Sequence, residues 1–416
     1  MLSVLEASAK IIAEFKPLAS ECVGLRDALG RVLAQDIIAP LALPPWDNSA
    51  MDGYAVHAED IDQASTDSPV ILPVLATIAA GHFAPAPLGR GGAMRIMTGA
   101  PLPAGADTVV RVEDTDGGLE RVTIRSGRDA GRNLRFSGED FRAGETVLAA
   151  GTPVHAAQLG ILASVGAAKV EVWRRPQVAF LGSGDELVDL DRFDEAMAGS
   201  KIVSSNSYTM DALIRSAGGS PIDLGVARDD PVDIRKRIER SAGCDLLVTT
   251  GGVSVGEYDY IRSVLGELGA DLRFWKVRMR PGAPLGFGIV RGLPWIGLPG
   301  NPVSAMVTFD LFVRPAIRRM LGHQRLFRQP VPVILEEPVR TGARLTHFLR
   351  AIVTPGESGR STARLTGPQG SGILTSMSLA NALLVVPEDR EQVAAGETLH
   401  ALLISDEAHL SPRFSI

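Results

Sequence analysis

Cys244-Asp245-Leu246-Leu247-Val248-Thr249-Thr250-Gly251-Gly252-Val253-Ser254-Val255-Gly256 is the stretch whose reading decides the fold. Its apolar run is short, continuous and rich in β-branched residues, the mark of a strand buried on both faces. The run passes directly into a glycine loop. Residues 258–268 follow with Tyr260, Ile261, Val264, Leu265 and Leu268 at helical spacing, and 270–277 is the next apolar strand. Pro281-Gly282-Ala283-Pro284 is a turn. Two short apolar runs, 285–290 and 293–298, lead to Pro299-Gly300-Asn301-Pro302, which opens an amphipathic segment reaching Leu321. Strand, glycine loop, helix, strand, loop, helix start is the order in which an α/β domain builds a ligand site at the carboxyl ends of its strands.

The two loops have the chemistry for an anionic ligand. Gly251 and Gly252 can take positive φ and let a ligand approach the backbone, and successive N–H groups there can form an anion-binding nest. Asn301 suits an N-cap and Pro302 a first helical position, so N–H groups and a positive dipole end face the same crevice. Either loop alone reads equally as a turn. Together in one α/β unit, with the carboxylate of Asp259 just beyond the first, they favour a phosphate-bearing ligand.

Working outward, the α/β domain opens at residues 177–181 with Gly182-Ser183-Gly184-Asp185-Glu186-Leu187 behind the strand. Ser204-Ser205-Asn206-Ser207 offers capping oxygens for a helix through Ile214. Residues 222–226 form a strand, and a helix over 232–240 follows Asp229-Asp230-Pro231. This alternation predicts a mainly parallel sheet covered on both faces. Upstream, residues 1–44 read as a helical lead-in, and 141–175 return to a mixed pattern with a helix over 153–165. Residues 56–140 are poor in helical periodicity and read as short strands (70–75, 93–97, 107–112, 121–124). The polar cluster Trp46 to Val56, centred on Asp52-Gly53, is a hairpin turn or part of a site. The loop 131–140 mixes two arginines with two carboxylates, which suits a salt-bridged surface or an anion site. After Gly322 short strands with turns predict a small β-domain or barrel.

Composition narrows the function classes. The 416 residues carry 42 basic and 48 acidic side chains, a net charge of −6, with no long basic run, so a nucleic-acid partner is not expected. Cys22 and Cys244 have neither disulfide-framework nor metal-ligand spacing, and a cytoplasmic location fits. The first 15 residues read as an amphipathic helix, not a signal peptide, and no apolar run approaches the ~20 residues of a membrane span.

Five motifs in this order resemble the molybdopterin molybdenumtransferase family (MoeA and gephyrin E-domain type). They are Ser49-Ala50-Met51-Asp52-Gly53-Tyr54-Ala55, Thr98-Gly99-Ala100-Pro101-Leu102-Pro103, Gly184-Asp185-Glu186-Leu187, Gly251 to Gly256 with Asp259, and Leu298-Pro299-Gly300-Asn301-Pro302-Val303-Ser304. The resemblance spans essentially the whole chain. It implies a multidomain α/β plus β fold with a central three-layer molybdopterin-binding α/β domain (176–326). Around this are an inserted β-rich domain (45–140), a mixed helical linker domain used in dimerisation (1–44 with 141–175) and a C-terminal β-barrel (327–416). It further implies a homodimer with some site carboxylates coming from the partner chain, and insertion of molybdenum from molybdate into adenylated molybdopterin with Mg²⁺-dependent release of AMP. An adenylyltransferase and a molybdoenzyme-delivery protein are the partners it implies.

Cleaving a pyrophosphate requires a metal to offset anionic charge and orient water, and Mg²⁺ prefers carboxylate and phosphate oxygens. The resemblance assigns Asp52, Glu186 and Asp259 to catalysis and Asp185, Glu186 and Asp259 to the metal, with Asp140 and Asp229 as weaker candidates. Thr98, Gly251, Gly252, Ser254, Pro299, Gly300, Asn301 and Pro302 would hold the pterin and its phosphate. Molybdate needs positive charge and donors; Lys276, Arg280, Arg350 and Ser376 match the family's positions. The chain departs from the family's Lys-Pro-Gly-Lys-Pro segment, reading Arg280-Pro281-Gly282-Ala283-Pro284, so one lysine charge is missing at 283. That change leaves three alternatives open: weaker oxyanion capture, a compensating residue, or a changed metal preference such as tungstate. Two rivals remain open: a molybdopterin adenylyltransferase, and a non-catalytic pterin-binding scaffold. A Rossmann dehydrogenase is disfavoured, because no Gly-x-Gly-x-x-Gly with an acidic residue at the expected distance occurs.

Overall fold

The structure is a computed structural model and describes residues 1–253, 260–342, 344–356 and 360–405. The chain forms two compact units. One holds residues 1–22, 30–34 and 171–416; the other holds 23–29 and 35–170.

In the first unit, strands β1 (Gln177–Ser183), β2 (Ser220–Ala227), β3 (Leu246–Thr250), β4 (Asp271–Lys276), β5 (Pro284–Val290) and β6 (Leu293–Leu298) form one sheet in the order β2-β1-β3-β6-β5-β4. The pairs β1/β2, β1/β3 and β3/β6 are parallel; β5 runs antiparallel to both its neighbours. The mainly parallel expectation therefore holds for one side of a mixed sheet. The reason for the reversal is local. Only Arg291 and Gly292 separate β5 from β6, both at positive φ (49° and 83°), and two such residues can close a hairpin but not a crossover.

Side chains alternate between two cores, as the period of two requires. Val178, Phe180, Val248 and Ile296 face helices α1 (Ser205–Ser216), α4 (Pro302–Thr308) and α5 (Arg314–Met320) together with the N-terminal helix Val4–Ala13. Ala179, Leu181, Leu247 and Trp295 face α2 (Pro231–Glu239) and α3 (Tyr260–Glu267). This is the three-layer sandwich. The N-terminal helix starts on a capping box between Ser3 and Glu6 and buries Ala7 and Ile11 in the first of these cores. The segment expected to be one amphipathic helix to Leu321 is α4 and α5 joined by a π-helical turn, Phe309–Val313.

Five strands after the sandwich close on themselves: β7 (Pro330–Leu335), β8 (Thr346–Thr354), β9 (Ser361–Leu365), β10 (Ala382–Val386) and β11 (Thr398–Leu403) pair in the cycle β8-β9-β7-β11-β10-β8. The barrel is the expected one. A helix, α6 (Leu374–Leu379), was not anticipated; its Met377 joins the core under α4 and α5.

The second unit is built on a five-stranded sheet ordered Thr108–Arg111, Gly53–Val56, Ala93–Ile96, Val70–Ile78, Arg121–Ile124, and also holds the helix Ala156–Ser164. Its strands match the short runs expected between 56 and 140. Among the described residues no helix is long and apolar enough to cross a membrane.

Candidate active site

Strand order places the site. From β1 the chain leaves towards β2, and from β3 it leaves in the opposite direction, so the crevice of the sheet lies outside the carboxyl ends of β1 and β3. A cleft of about 460 Å³ opens there. Its walls are the loop after β1 (Ser183, Gly184, Glu186), the loop after β3 (Gly251, Gly252) and the turn after β6 (Pro299 to Pro302), closed by Asn206 at the start of α1. The glycines at its floor are required by space. Gly251 sits at φ 84°, and a Cβ there would meet the Ser183 carbonyl oxygen at 2.8 Å; a Cβ on Gly300 would lie 3.4 Å from the Gly251 Cα. Two loops far apart in sequence thus touch through residues without side chains, which leaves backbone as the cleft surface.

The carboxylates divide between two sides of the β1 loop. Glu186 and Asp229 line this cleft. Asp185 faces a neighbouring one of about 620 Å³, with Arg228 and Lys201. Asp185 and Asp229 also staple the ends of β1 and β2: the Asp185 N–H donates to Asp229 Oδ2 at 3.3 Å, and the Asp229 N–H donates to Asp185 Oδ1 at 3.2 Å. Ser183 Oγ donates to the other Asp229 oxygen at 3.2 Å. Asp229, a weaker candidate from sequence, is therefore a cleft residue. Asp259 and Ser254 lie outside the described residues.

The turn after β6 is held by amides. Asn301 occupies the N-cap position of α4 with Pro302 behind it, as expected, but its side chain does not cap the helix; Nδ2 donates instead to Ser371 Oγ at 3.0 Å. The Val303 N–H donates to the Ser371 carbonyl at 3.1 Å. Asn206, expected only as a capping residue, donates to the Gly300 carbonyl at 2.7 Å, and its Oδ1 is buried without a partner among the described residues. No sequence signal marks Asn206, because its partner is 94 residues away.

Of the expected molybdate residues, the structure joins two. Arg350 is fully buried and its Nε donates to Ser376 Oγ at 3.0 Å. Along β8, Leu349 and Ala351 enter the barrel core while Phe348 enters the sandwich core, so alternation sets Arg350 on the sandwich side. Arg280 and Lys276 are exposed. Arg280 is in register with His347, whose pKa is pushed down by burial and by the Arg280 charge, against a hydrogen bond with the Gly342 carbonyl. Lys276 stands opposite Pro284, a cleft residue, and the Val277 N–H donates to the carbonyl of Ala283 at 3.0 Å. Lys276 is thus the cation across the strand pair from the position where the second lysine is missing.

In the second unit three polar loops converge. Gly99 N–H donates to the Ser49 carbonyl (2.8 Å), Ala50 N–H to that of Asn133 (2.9 Å), and Ser137 N–H to Asp47 Oδ1 (2.7 Å). Within this cluster Thr98 gives both its N–H (2.7 Å) and its hydroxyl (2.9 Å) to Asp52 Oδ1. Two residues assigned from separate motifs are therefore direct partners. Asp140, on the return of the third loop, is exposed. The Thr98 N–H, then its hydroxyl, hold the Asp52 carboxyl below the usual range. A depressed folded pKa contributes stability above the unfolded value, lost as pH falls through the folded one. Thr98→Val removes only the hydroxyl, so the Asp52 pKa measured by NMR titration should rise part of the way to its ordinary value; no change would mean the backbone N–H alone sets it.

A glycine-floored cleft at the switch point of an α/β sandwich, with a buried arginine on an adjoining β-barrel, defines a multidomain α/β plus β protein with its cleft where such sheets place ligands. Residues 2–166 match the family described as MoeA N-terminal region (domain I and II), 179–319 that described as probable molybdopterin binding domain, and 332–404 that described as MoeA C-terminal region (domain IV). The chain is 41% identical over 383 residues to molybdopterin molybdenumtransferase 2 of Mycobacterium tuberculosis, covering 91% of this chain and 93% of that protein. It is 37% identical to the molybdopterin molybdenumtransferase of a Nostoc species, covering 92% and 88%. The crystal structure of the molybdopterin biosynthesis moeA protein from Pyrococcus horikoshii OT3 superposes with a TM-score of 0.84 at 32% identity, over 97% of this chain and 100% of that one. This chain belongs to the MoeA family.

Proposed function

We propose that this chain is an enzyme of molybdenum cofactor biosynthesis that inserts molybdenum from molybdate into molybdopterin, with the cleft of the α/β sandwich as its pterin-phosphate site. The observation that carries the reading is the joining of the glycine-floored cleft, through Asn301 and Ser371, to the barrel loop over Arg350. The substrate is adenylated molybdopterin, and AMP is the second product. The backbone around Gly251, Gly252 and Gly300 binds its phosphates, and Thr98, with Asp52, belongs to the same function. Arg350 and Ser376, with Arg280 and Lys276 at the surface, take the oxyanion.

Mg²⁺ supplies charge neutralisation at the pyrophosphate when bound. Among the described residues no three His, Cys, Asp or Glu side chains form a metal cluster. Mg²⁺ does not need one, since one or two carboxylates with substrate phosphate and water suffice. Glu186 and Asp229 are hard-oxygen donors on the cleft wall and fit that demand. Asp259 belongs to the same carboxylate set, and Asp185, which faces the neighbouring cleft, joins it through its staple to Asp229. Glu186 orients the water that attacks the phosphate and Asp52 assists. Two family boundaries, after 166 and after 319, support the four-domain division at 1–44 with 141–175, 45–140, 176–326 and 327–416. A cytoplasmic homodimer that receives pterin from an adenylyltransferase and passes the cofactor on completes the proposal.

The test is AMP release from adenylated molybdopterin with Mg²⁺, titrating molybdate and tungstate in parallel. Release that depends on oxyanion supports the transferase. Tight pterin binding with no release under either oxyanion would make the chain a binding protein instead. Glu186→Gln should slow AMP release by roughly 100-fold, the scale of a lost positioning carboxylate; an unchanged rate would remove Glu186 from the mechanism. Ala283→Lys should lower the molybdate concentration for half activity, and no change would mean that Lys276 or another cation already supplies the charge.

A further inference from the structure

Arg350 is buried and yet crowded. Its Nη1 donates to the Gln369 carbonyl at 3.2 Å and its Nη2 to those of Pro368 (3.3 Å) and Gly370 (2.9 Å), besides the Nε bond to Ser376. A guanidinium has five N–H groups, and an oxyanion needs two of them side by side. With three consecutive carbonyls on both terminal nitrogens, that pair is not free. The charge itself is uncompensated: no carboxylate pairs with it among the described residues, and burial pushes its pKa down.

The loop that supplies the three carbonyls is anchored at both ends. At one end the Gln369 side chain copies a strand partner. Its Oε1 accepts the Arg350 N–H at 2.8 Å, and its Nε2 donates to the Arg350 carbonyl at 3.1 Å and to that of Gly367 at 3.0 Å. At the other end Ser371 is held by Asn301, on the turn that walls the pterin cleft, and by the Val303 N–H in the first turn of α4. The loop therefore connects the guanidinium to the cleft rim through consecutive residues.

We propose that residues 368–371 are a latch over Arg350, with Gln369 as its positioning residue and the Asn301–Ser371 bond as its catch, so that pterin phosphate in the cleft opens the oxyanion site. A phosphate seated on the 299–302 turn competes for the Asn301 amide and for the Val303 N–H, the two donors that hold Ser371, and so frees it. The carbonyls then withdraw, and Arg350 offers parallel N–H groups to a tetrahedral oxyanion. Pterin and oxyanion binding are coupled, with oxyanion second. By linkage each ligand raises the affinity for the other by the same factor. The latch rests on the assignment of Arg350 to the oxyanion made above.

Equilibrium dialysis of molybdate against the full chain, with and without saturating molybdopterin, tests it. The expected result is about tenfold tighter molybdate binding when pterin is present. Without pterin, Ser371→Ala should tighten molybdate binding by roughly three- to tenfold, the worth of one hydrogen bond, and shrink the pterin effect by the same factor. Gln369→Ala should act in the same direction, whereas a loop with only a structural role would weaken binding of both ligands. Equal molybdate affinity with and without pterin, in wild type and in Ser371→Ala, overturns the latch. Arg350→Lys separates the two ideas. If it binds molybdate like wild type, the oxyanion assignment fails and the latch fails with it. If it binds weakly while wild type shows no coupling, the latch alone is wrong.

Discussion

Arg350→Met should abolish molybdate-dependent AMP release and lower the unfolding free energy by about 1–3 kcal/mol. The stability loss follows from the partners left behind. Three carbonyls, of the exposed Pro368 and Gly370 and the half-buried Gln369, and the buried Ser376 hydroxyl would lose their donor. The buried Ser376 oxygen costs about 1–3 kcal/mol when orphaned, whereas the loop carbonyls cost less because water reaches them, and the charge is no longer buried. Methionine fills the space of the arginine stem but not that of the guanidinium, so the loss combines the orphaned polar partners with a small void. Urea unfolding of the full chain measures it. A change below about 1 kcal/mol would show that the 368–370 loop re-satisfies its carbonyls elsewhere.

Gly53→Ala should be among the most damaging single-methyl changes in the second unit, costing more than about 4 kcal/mol. A Cβ at 53 would lie 1.9 Å from the Val110 carbonyl oxygen and 3.1 Å from the Arg111 Cα, both backbone of the adjacent strand. Gly53 is paired in register with Arg111, so relief requires opening the sheet ladder. The turn before it carries Asp52, and the Asp52–Thr98 contact should be lost along with the strand. Gly144→Ala is the control. Gly144, unlike Gly53, sits at positive φ (87°), and nothing lies within 4 Å of a Cβ there, so backbone strain alone should cost about 1 kcal/mol. Thermal unfolding of both variants, with the Asp52 pKa as a local readout, compares them; equal losses would mean that the close approach at Gly53 is not limiting.

Elements whose pattern is local were legible in the sequence. The buried strand before Gly251 and the helix before Gly218 follow from periodicity and punctuation alone, as do the strands of the barrel. The proline at the start of α4 is of the same kind. Asn301 shows the limit: its position was readable, but its side chain reaches Ser371, 70 residues on, and no local rule contains that partner. The direction of β5 was also hidden, because a run of apolar residues has no polarity until its neighbours are known. α6 was missed because Thr375-Ser376-Met377-Ser378 has weak helical preference and is helical by packing Met377 against the core.

By itself the sequence determined the strand-loop-helix order, the glycines that permit backbone-lined loops, the barrel after the sandwich and the chemical types available to a site. The tertiary structure alone decided which of those groups meet. It set Glu186 and Asp229 on one side of the β1 loop and Asp185 on the other, made Thr98 the donor to Asp52, and buried Arg350 under three carbonyls linked to the cleft rim. The physical reason is one of range. Dihedral preference and periodicity act over a few residues and are written locally, whereas burial and hydrogen-bond partnership depend on distances between segments that only the packed chain defines.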